Sequence, residues 1–264
     1  MDLKNVKAIT IPQGSVKKIT DSNGNVIWGN SSDFPYRRLE YVICNGAAAI
    51  NTGIQADVKS GTLNTFQLKF MPTAVGTQQR ILANYTPNVT NTRKYAVVLN
   101  GNTSIQNVIA GNWGGTTLAS NNTDYVVWSS MLYNGRYISV NDGAKETLTS
   151  ATSENPTANQ MYALGAGYNY NTSGYYENGF IGRIYGLKAW RNTLSSSGWD
   201  FIPVQRKSDN KVGFLRIKYT YTTGVVGAVD FLPSDWTTDF QAGSVADEYF
   251  NIKENDQRYV FDWE

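Results

Sequence analysis

Tyr125-Val126-Val127-Trp128-Ser129-Ser130-Met131-Leu132-Tyr133-Asn134-Gly135-Arg136-Tyr137-Ile138-Ser139-Val140 reads as two strands folded back on each other. An Asn-Gly between two apolar runs is the strongest short-range hairpin signal, because both residues accept the positive φ of a tight turn. The aromatic and β-branched residues on either side suit a pleated surface. Further candidate strands lie at residues 38–43, 49–54, 65–70, 80–84, 95–99 and 105–110 before the hairpin, and at 161–165 and 180–190 after it. In the last of these, Ile181, Arg183, Tyr185, Leu187 and Ala189 alternate against Gly182, Ile184, Gly186, Lys188 and Trp190. Residues 200–204, 211–215, 225–232, 249–252 and 258–263 continue less regularly, and Pro233-Ser234-Asp235-Trp236 reads as a short helical turn capped by Ser or Asp. Strands at roughly ten-residue spacing, with no Ala/Leu/Glu/Lys stretch at helical period, predict an all-β antiparallel jelly roll or β-sandwich.

Composition narrows the chemistry. The chain of 264 residues suits one large sandwich, and 17 tyrosines with 24 glycines fit short strands joined by tight turns. With 23 basic and 21 acidic residues spread along the chain, the pairs Arg37-Arg38 and Arg206-Lys207 read as solvated strand ends, and no nucleic-acid partner is expected. Residues 1–15 carry no continuous apolar run and no apolar stretch is long enough to cross a bilayer, so neither export nor membrane insertion is expected. The single Cys44, between Val42-Ile43 and Ala47, reads as a buried apolar filler. There is no His at all. That excludes Ser-His-Asp and Cys-His nucleophile pairs, a His-ligated zinc and an imidazole base, and leaves carboxylate, Lys or Tyr chemistry.

The first 29 residues form a unit of their own. Val16-Lys17-Lys18-Ile19 and Val26-Ile27-Trp28 flank Asp21-Ser22-Asn23-Gly24-Asn25, a second Asn-Gly hairpin. So short a segment cannot bury a stable core by itself. Val16, Ile19, Val26, Ile27 and Trp28 are therefore expected to pack on the body, on copies of themselves or on a partner. Residues 30–35 read as a polar linker, residues 36–220 as the jelly roll, and residues 221–264 as an extension that packs on or extends it.

Tyr36-Arg37-Arg38-Leu39-Glu40-Tyr41-Val42 followed by Ile50-Asn51-Thr52-Gly53-Ile54 resembles the opening of a family of phage sandwich domains. Phe180-Ile181-Gly182-Arg183-Ile184-Tyr185-Gly186-Leu187-Lys188 is similar to a strand near the end of laminin-G/concanavalin-like domains. Asp200-Phe201-Ile202-Pro203-Val204-Gln205-Arg206-Lys207-Ser208-Asp209 resembles their trailer, and the N-terminal hairpin resembles one in structural proteins of tailed phages. The chain departs from the pattern at Phe214-Leu215-Arg216, where members usually carry a leucine–tyrosine–aspartate triplet, and in its long C-terminal tail. The resemblance implies a laminin-G-like jelly roll on a virion, in a tail fibre, head fibre or capsid decoration. It implies capsid or tail proteins as partners of the hairpin anchor, and a homo-oligomer with a trimer favoured.

Glycoside hydrolysis needs two carboxylates held about 5–10 Å apart. No Glu-x-Asp-x-Glu pattern occurs, and Asp247-Glu248, Asp235 with Asp239, and Asp262 with Glu264 lie in the irregular C-terminal section, so no catalytic residue is assigned and no enzyme is expected. Gly165-Ala166-Gly167 lacks the helix a phosphate-binding motif needs and reads as a turn. Asn141-Asp142-Gly143 and Asp21-Ser22-Asn23-Gly24-Asn25 are oxygen-rich like calcium loops, but as hairpin turns they need no metal. No cofactor is assigned, calcium being the one alternative weighed. The composition of Tyr168-Asn169-Tyr170-Asn171-Thr172-Ser173-Gly174-Tyr175-Tyr176-Glu177-Asn178 suits sugar binding, with aromatic faces for stacking and amides for hydrogen bonds. Tyr168, Tyr170, Tyr175 and Tyr176 are therefore candidate contacts to a host surface glycan, and Trp113 in Asn112-Trp113-Gly114-Gly115 is another. The competing reading is that a tyrosine-rich loop covers a sheet edge or lines a subunit interface. The expected function is a virion structural protein displaying a jelly roll for adhesion. A stand-alone lectin-like module is the alternative, and a glycoside hydrolase the remote one.

Overall fold

The strands β11 (Tyr125–Ser130) and β12 (Tyr137–Val140) pair antiparallel, with Val127 opposite Val140 and Ser130 opposite Tyr137, as the Asn134-Gly135 signal predicts. In this computed structural model the described residues are 18–20, 26–29, 35–55, 63–84, 95–109, 112–130, 136–147, 161–169, 175–191, 198–220 and 224–247. Among them every regular element is a strand.

The larger sheet is 12-stranded. It runs β13 (Glu146–Thr147), β12, β11, β6 (Leu63–Pro72), β17 (Ile181–Arg191), β18 (Gly198–Arg206), β19 (Val212–Thr220), β20 (Gly224–Pro233), and it also holds β3 (Tyr36–Leu39), β4 (Val42–Asn45), β21 (Gln241–Ala242) and β22 (Val245–Asp247). The smaller sheet is eight-stranded, in the order β10 (Asn112–Gly114), β9 (Ile105–Ile109), β8 (Tyr95–Leu99), β7 (Gln79–Ala83), β14 (Met161–Leu164), β5 (Ile50–Gln55), with β15 (Gly167–Asn169) and β16 (Tyr175–Glu177) attached. Pairing is antiparallel except for single parallel contacts such as Gly167 beside Ala83. The architecture is an all-β antiparallel sandwich of the jelly-roll kind.

Period-two alternation builds the core. Phe66, Leu68 and Phe70 of β6, Val127 of β11 and Phe201 of β18 share one buried cluster with Leu82, Val97, Leu99 and Ile105 of the smaller sheet. Each large apolar side chain so buried contributes about 1.5–3 kcal/mol. Cys44 lies in the same cluster, and burial pushes its thiol pKa up, so it stays an uncharged filler as its setting predicts.

Two of the larger sheet's irregularities shape its outer face. The first is a fork. Leu187 to Trp190 of β17 pair with β18, but Ile181 to Ile184 pair with β4, while the far end of β18 pairs with β3. The sequence reads residues 38–43 as one strand; the chain instead leaves β18 and crosses to β17 at Glu40 and Tyr41, dividing it into β3 and β4. The strands β21 and β22 fill the fork beside β4 and β3, where the Glu40 amide donates to the Ser244 carbonyl at 2.8 Å and the Gly243 amide to the Tyr41 carbonyl at 3.1 Å.

The second is a bulge. Ile184 pairs with Phe70 and Gly186 with Lys69, so Tyr185 is the extra residue that β6 does not match. The single alternation expected over 181–190 is therefore wrong in phase after Tyr185. Ile181, Arg183 and Tyr185 keep to the half-exposed outer face, whereas Leu187 and Ala189 enter the core and Lys188 and Trp190 turn outward. A bulge adds one residue and so flips every side chain beyond it.

The stretch after residue 221 is described from Gly224 to Asp247. There β20 pairs with β19, Trp236 packs on Ala49, Ala163 and Ala166, and Phe240 sits in the main core. The helical turn expected at Pro233-Ser234-Asp235-Trp236 does not form. The Ser234 hydroxyl accepts from the Trp236 and Ala49 amides, and Asp235 binds the Asn51 amide, so both potential caps are used to tie the segment to β5. Residues 249–252 and 258–263 lie outside the described residues.

Candidate functional site

The sequence candidates occupy separate parts of the fold. Trp113 stands on edge strand β10 opposite Val108 and is 42% exposed. The tyrosine-rich stretch is no simple loop but a hairpin of β15 and β16, in which Tyr168 faces Tyr176 and Asn169 faces Tyr175 in register. Tyr170 lies outside the described residues. The hairpin is tied to β7 by an ion pair of Glu177 with buried Arg80, 3.4 Å, and by the Arg80 amide donating to the Asn178 carbonyl. Strands β9 and β8 stand between β7 and β10, so strand order sets the hairpin's attachment about 14 Å from Trp113's strand. Of the anchor residues, Ile19 pairs with Trp28 in a two-stranded sheet of β1 (Lys18–Thr20) and β2 (Val26–Gly29), which also contains Val26 and Ile27; Val16 lies outside the described residues.

Asn141-Asp142-Gly143 is a turn whose parts are used locally. Asn141 and Asp142 have φ of 49° and 56°, and the Asn141 side-chain carbonyl accepts from the Val126 amide at 2.8 Å. Among the described residues no group of three or more His, Cys, Asp and Glu side chains gathers as a metal site would require. Of the basic pairs, Arg37 and Lys207 are exposed and Arg206 pairs with Asp209 at 2.5 Å.

The constellation that sequence reading missed lies where the fork and the bulge meet. Tyr41 sits at the crossing from β3 to β4, and Tyr185 is the bulged residue of β17. Their rings meet edge-on with centroids 5.5 Å apart, and both are half-exposed. Gly243 allows this, because a Cβ there would collide with the Tyr41 ring and carbonyl. Arg183 lies over the Tyr41 ring with Cζ 4.4 Å from its centroid, and Lys69 over the Tyr185 ring with Nζ at 4.9 Å. The Tyr185 hydroxyl donates to Asp124 at 2.6 Å, and the Tyr41 and Ser244 hydroxyls are 3.4 Å apart. Partial burial, reinforced by the Asp124 hydrogen bond and charge, pushes the Tyr185 phenol up to about 12, so it remains a neutral donor at any ordinary pH. The patch thus combines two aromatic rings with phenolic, ammonium, guanidinium and carboxylate groups. The signal for two of its five members was in the sequence: Arg183 and Tyr185, two apart, must share a strand face. Nothing in the sequence joins them to Tyr41, Lys69 or Asp124, which arrive by sheet pairing.

A second outer-face feature lies toward the other end of the same strands. Trp128 of β11 and Trp190 of β17 stack across β6, 5.8 Å between centroids and 10° between planes. Beside them Lys188 faces Asp200 across the β17–β18 ladder, both almost wholly buried. Burial pushes the Asp200 carboxyl up to about 7, against the opposing pull of Lys188.

No family model matches the chain, and no curated protein matches it. Solved structures overlap it in part. The carbohydrate-binding module CBM40 of Ruminococcus gnavus IT-sialidase, bound to alpha2,3 sialyllactose, is 12% identical and covers 58% of this chain and 91% of its own, with a TM-score of 0.44. The native heptameric SAP-like pentraxin of Limulus polyphemus is 11% identical over 60% of this chain and 78% of its own, TM-score 0.44. The leech intramolecular trans-sialidase complexed with 2,7-anhydro-Neu5Ac is 11% identical over 76% of this chain and 39% of its own, TM-score 0.39.

Proposed function

We propose that the chain is a non-catalytic carbohydrate-binding module whose sugar sits on the outer face of the larger sheet, against Tyr41 and Tyr185. The observation that carries this reading is the meeting of those two half-exposed rings at 5.5 Å, produced by two separate breaks in sheet regularity. Bulges re-aim side chains and are enriched beside functional sites. A sugar offers apolar C–H patches and hydroxyls side by side, and this patch offers aromatic surface and hydrogen-bonding groups side by side. The absence of His from the chain removes imidazole catalysis.

The test is a glycan-array screen of the full chain alongside Tyr41→Ala and Tyr185→Ala, with Tyr175→Ala in the β15–β16 hairpin as comparison. The first two changes abolish the array signal and the third does not. An empty array, or a signal that both patch variants retain, overturns the proposal.

One observation favours a second reading, in which the module is carried on a virion. The β1–β2 hairpin pairs only with itself among the described residues and adds no strand to either large sheet, as suits an anchor for another protein. Particles assembled with full-length chain carry it, and particles assembled with a chain lacking residues 1–29 do not. Equal incorporation of both removes the anchor role.

A further inference from the structure

Among the described residues the two cations of the patch have no counter-charge of their own. Ion pairs form at Arg80–Glu177, Arg206–Asp209 and Arg216–Asp230, and neither Lys69 nor Arg183 takes part in these. Their cross-strand neighbours are apolar. Lys69 lies opposite Val126 of β11 and Gly186 of β17, and Arg183 lies opposite Ile43 of β4 and Met71 of β6. Direct cross-strand neighbours are where a sheet ordinarily supplies opposite charge to a cation. Here the cations rest on the Tyr185 and Tyr41 rings instead. Among the described residues Asp124 is the carboxylate shown against the group, and it is engaged by the Tyr185 hydroxyl. Two cations and one carboxylate leave a local charge of +1 on a half-exposed aromatic platform.

From this we infer that the ligand is an acidic carbohydrate, bound through the carboxylate of a sugar acid. The inference rests on the carbohydrate reading above and adds the ligand's class. The planar guanidinium of Arg183 offers the two-pronged donor geometry that a carboxylate accepts, and Lys69 adds a second, more mobile charge. The tyrosines meet the ring of the same sugar. Binding moves the cations from ring faces to the anion, for which half-exposed, flexible side chains need only a change of rotamer.

The decisive experiment uses the full chain and an array of bacterial polysaccharides in which each uronate-bearing member is matched by its carboxyl-reduced form. Titrations of the best pair follow at about 0.05 M and about 0.5 M salt, a range over which screening of exposed charge becomes strong. The acidic member binds about tenfold or more tightly than its reduced twin, and the preference shrinks at high salt. Arg183→Gln removes most of that preference, Lys69→Gln part of it, and the remote Arg206→Gln none. Equal binding of acidic and reduced forms overturns the acidic-ligand inference while leaving the carbohydrate reading intact. Binding to a sulfated but not a carboxylated member also overturns it. Absence of binding to any member overturns both.

Discussion

Tyr185 is the residue the β17–β6 ladder leaves unmatched, and its hydroxyl donates to Asp124 across 2.6 Å. The bulge thus turns a strand residue into a fixed, outward phenol. Tyr185→Phe keeps the ring against Tyr41 and removes only the donor. It is expected to lower stability by about 1 kcal/mol, as for a partly exposed hydrogen bond to a charged acceptor, and to weaken sugar binding several-fold. Urea denaturation and calorimetric titration of the same preparation check the two effects separately.

The same phenol sets an alkaline limit. Unperturbed, a tyrosine titrates near 10.0, and in the fold Tyr185 is pushed up to about 12 by burial and by Asp124. A folded pKa above the unfolded one means its contribution is complete below pH 10 and is lost as pH rises through 12. Ultraviolet absorbance of phenolate should show the late-ionising phase of the native protein smaller by one tyrosine in Tyr185→Phe.

Toward the β20 edge of the larger sheet, Arg216 donates to the Thr52 carbonyl at 3.0 Å and to Asp230 at 2.5 Å, joining β5 to β19 and β20. Gly53 sits beneath the guanidinium with φ of +70°, and a Cβ there would run into Arg216 Nη1. Gly53→Ala is expected to cost roughly 1–3 kcal/mol through backbone strain alone. Thermal unfolding checks this, with exposed Gln55→Ala on the same strand as a reference free of that strain.

Asp200 supplies a second pH dependence. Its carboxyl has a reference value of 3.8 and lies near 7 in the fold because burial disfavours the charged form. Protonation therefore favours folding. The contribution is full below about pH 4 and falls away as pH rises through 7. In Asp200→Asn the stability curve between those limits is flatter, measured by urea unfolding at steps across the range.

How much was legible follows from which physics is local. The hairpin of β11 and β12 was readable because Asn134-Gly135 and the residues around it carry their own geometry. The strand from Tyr95 to Leu99 was readable because it is apolar throughout, and the one from Ile105 because Ile105, Val108 and Ile109 bracket its two polar residues. The break at Glu40-Tyr41 was not, since nothing within residues 38–43 says that the chain must change partners from β18 to β17. The phase reset at Tyr185 was invisible for the same reason: Ile184-Tyr185-Gly186 reads as uninterrupted strand, and the bulge exists only in relation to Phe70 and Lys69. Pro233-Ser234-Asp235-Trp236 misled because caps and turn ties use the same side chains. The patch was hidden because its members come from the β3–β4 crossing, from β6 and β17, and from the approach to β11.

Hydrogen exchange measured by mass spectrometry, with and without a saturating glycan selected from the array, tests the central assignment most directly. Protection is predicted across residues 40–44 and 183–186, with the β15–β16 hairpin and Trp113 unchanged. Protection confined to residues 167–177 or 112–115, with the Tyr41 and Tyr185 segments exchanging as before, would contradict it.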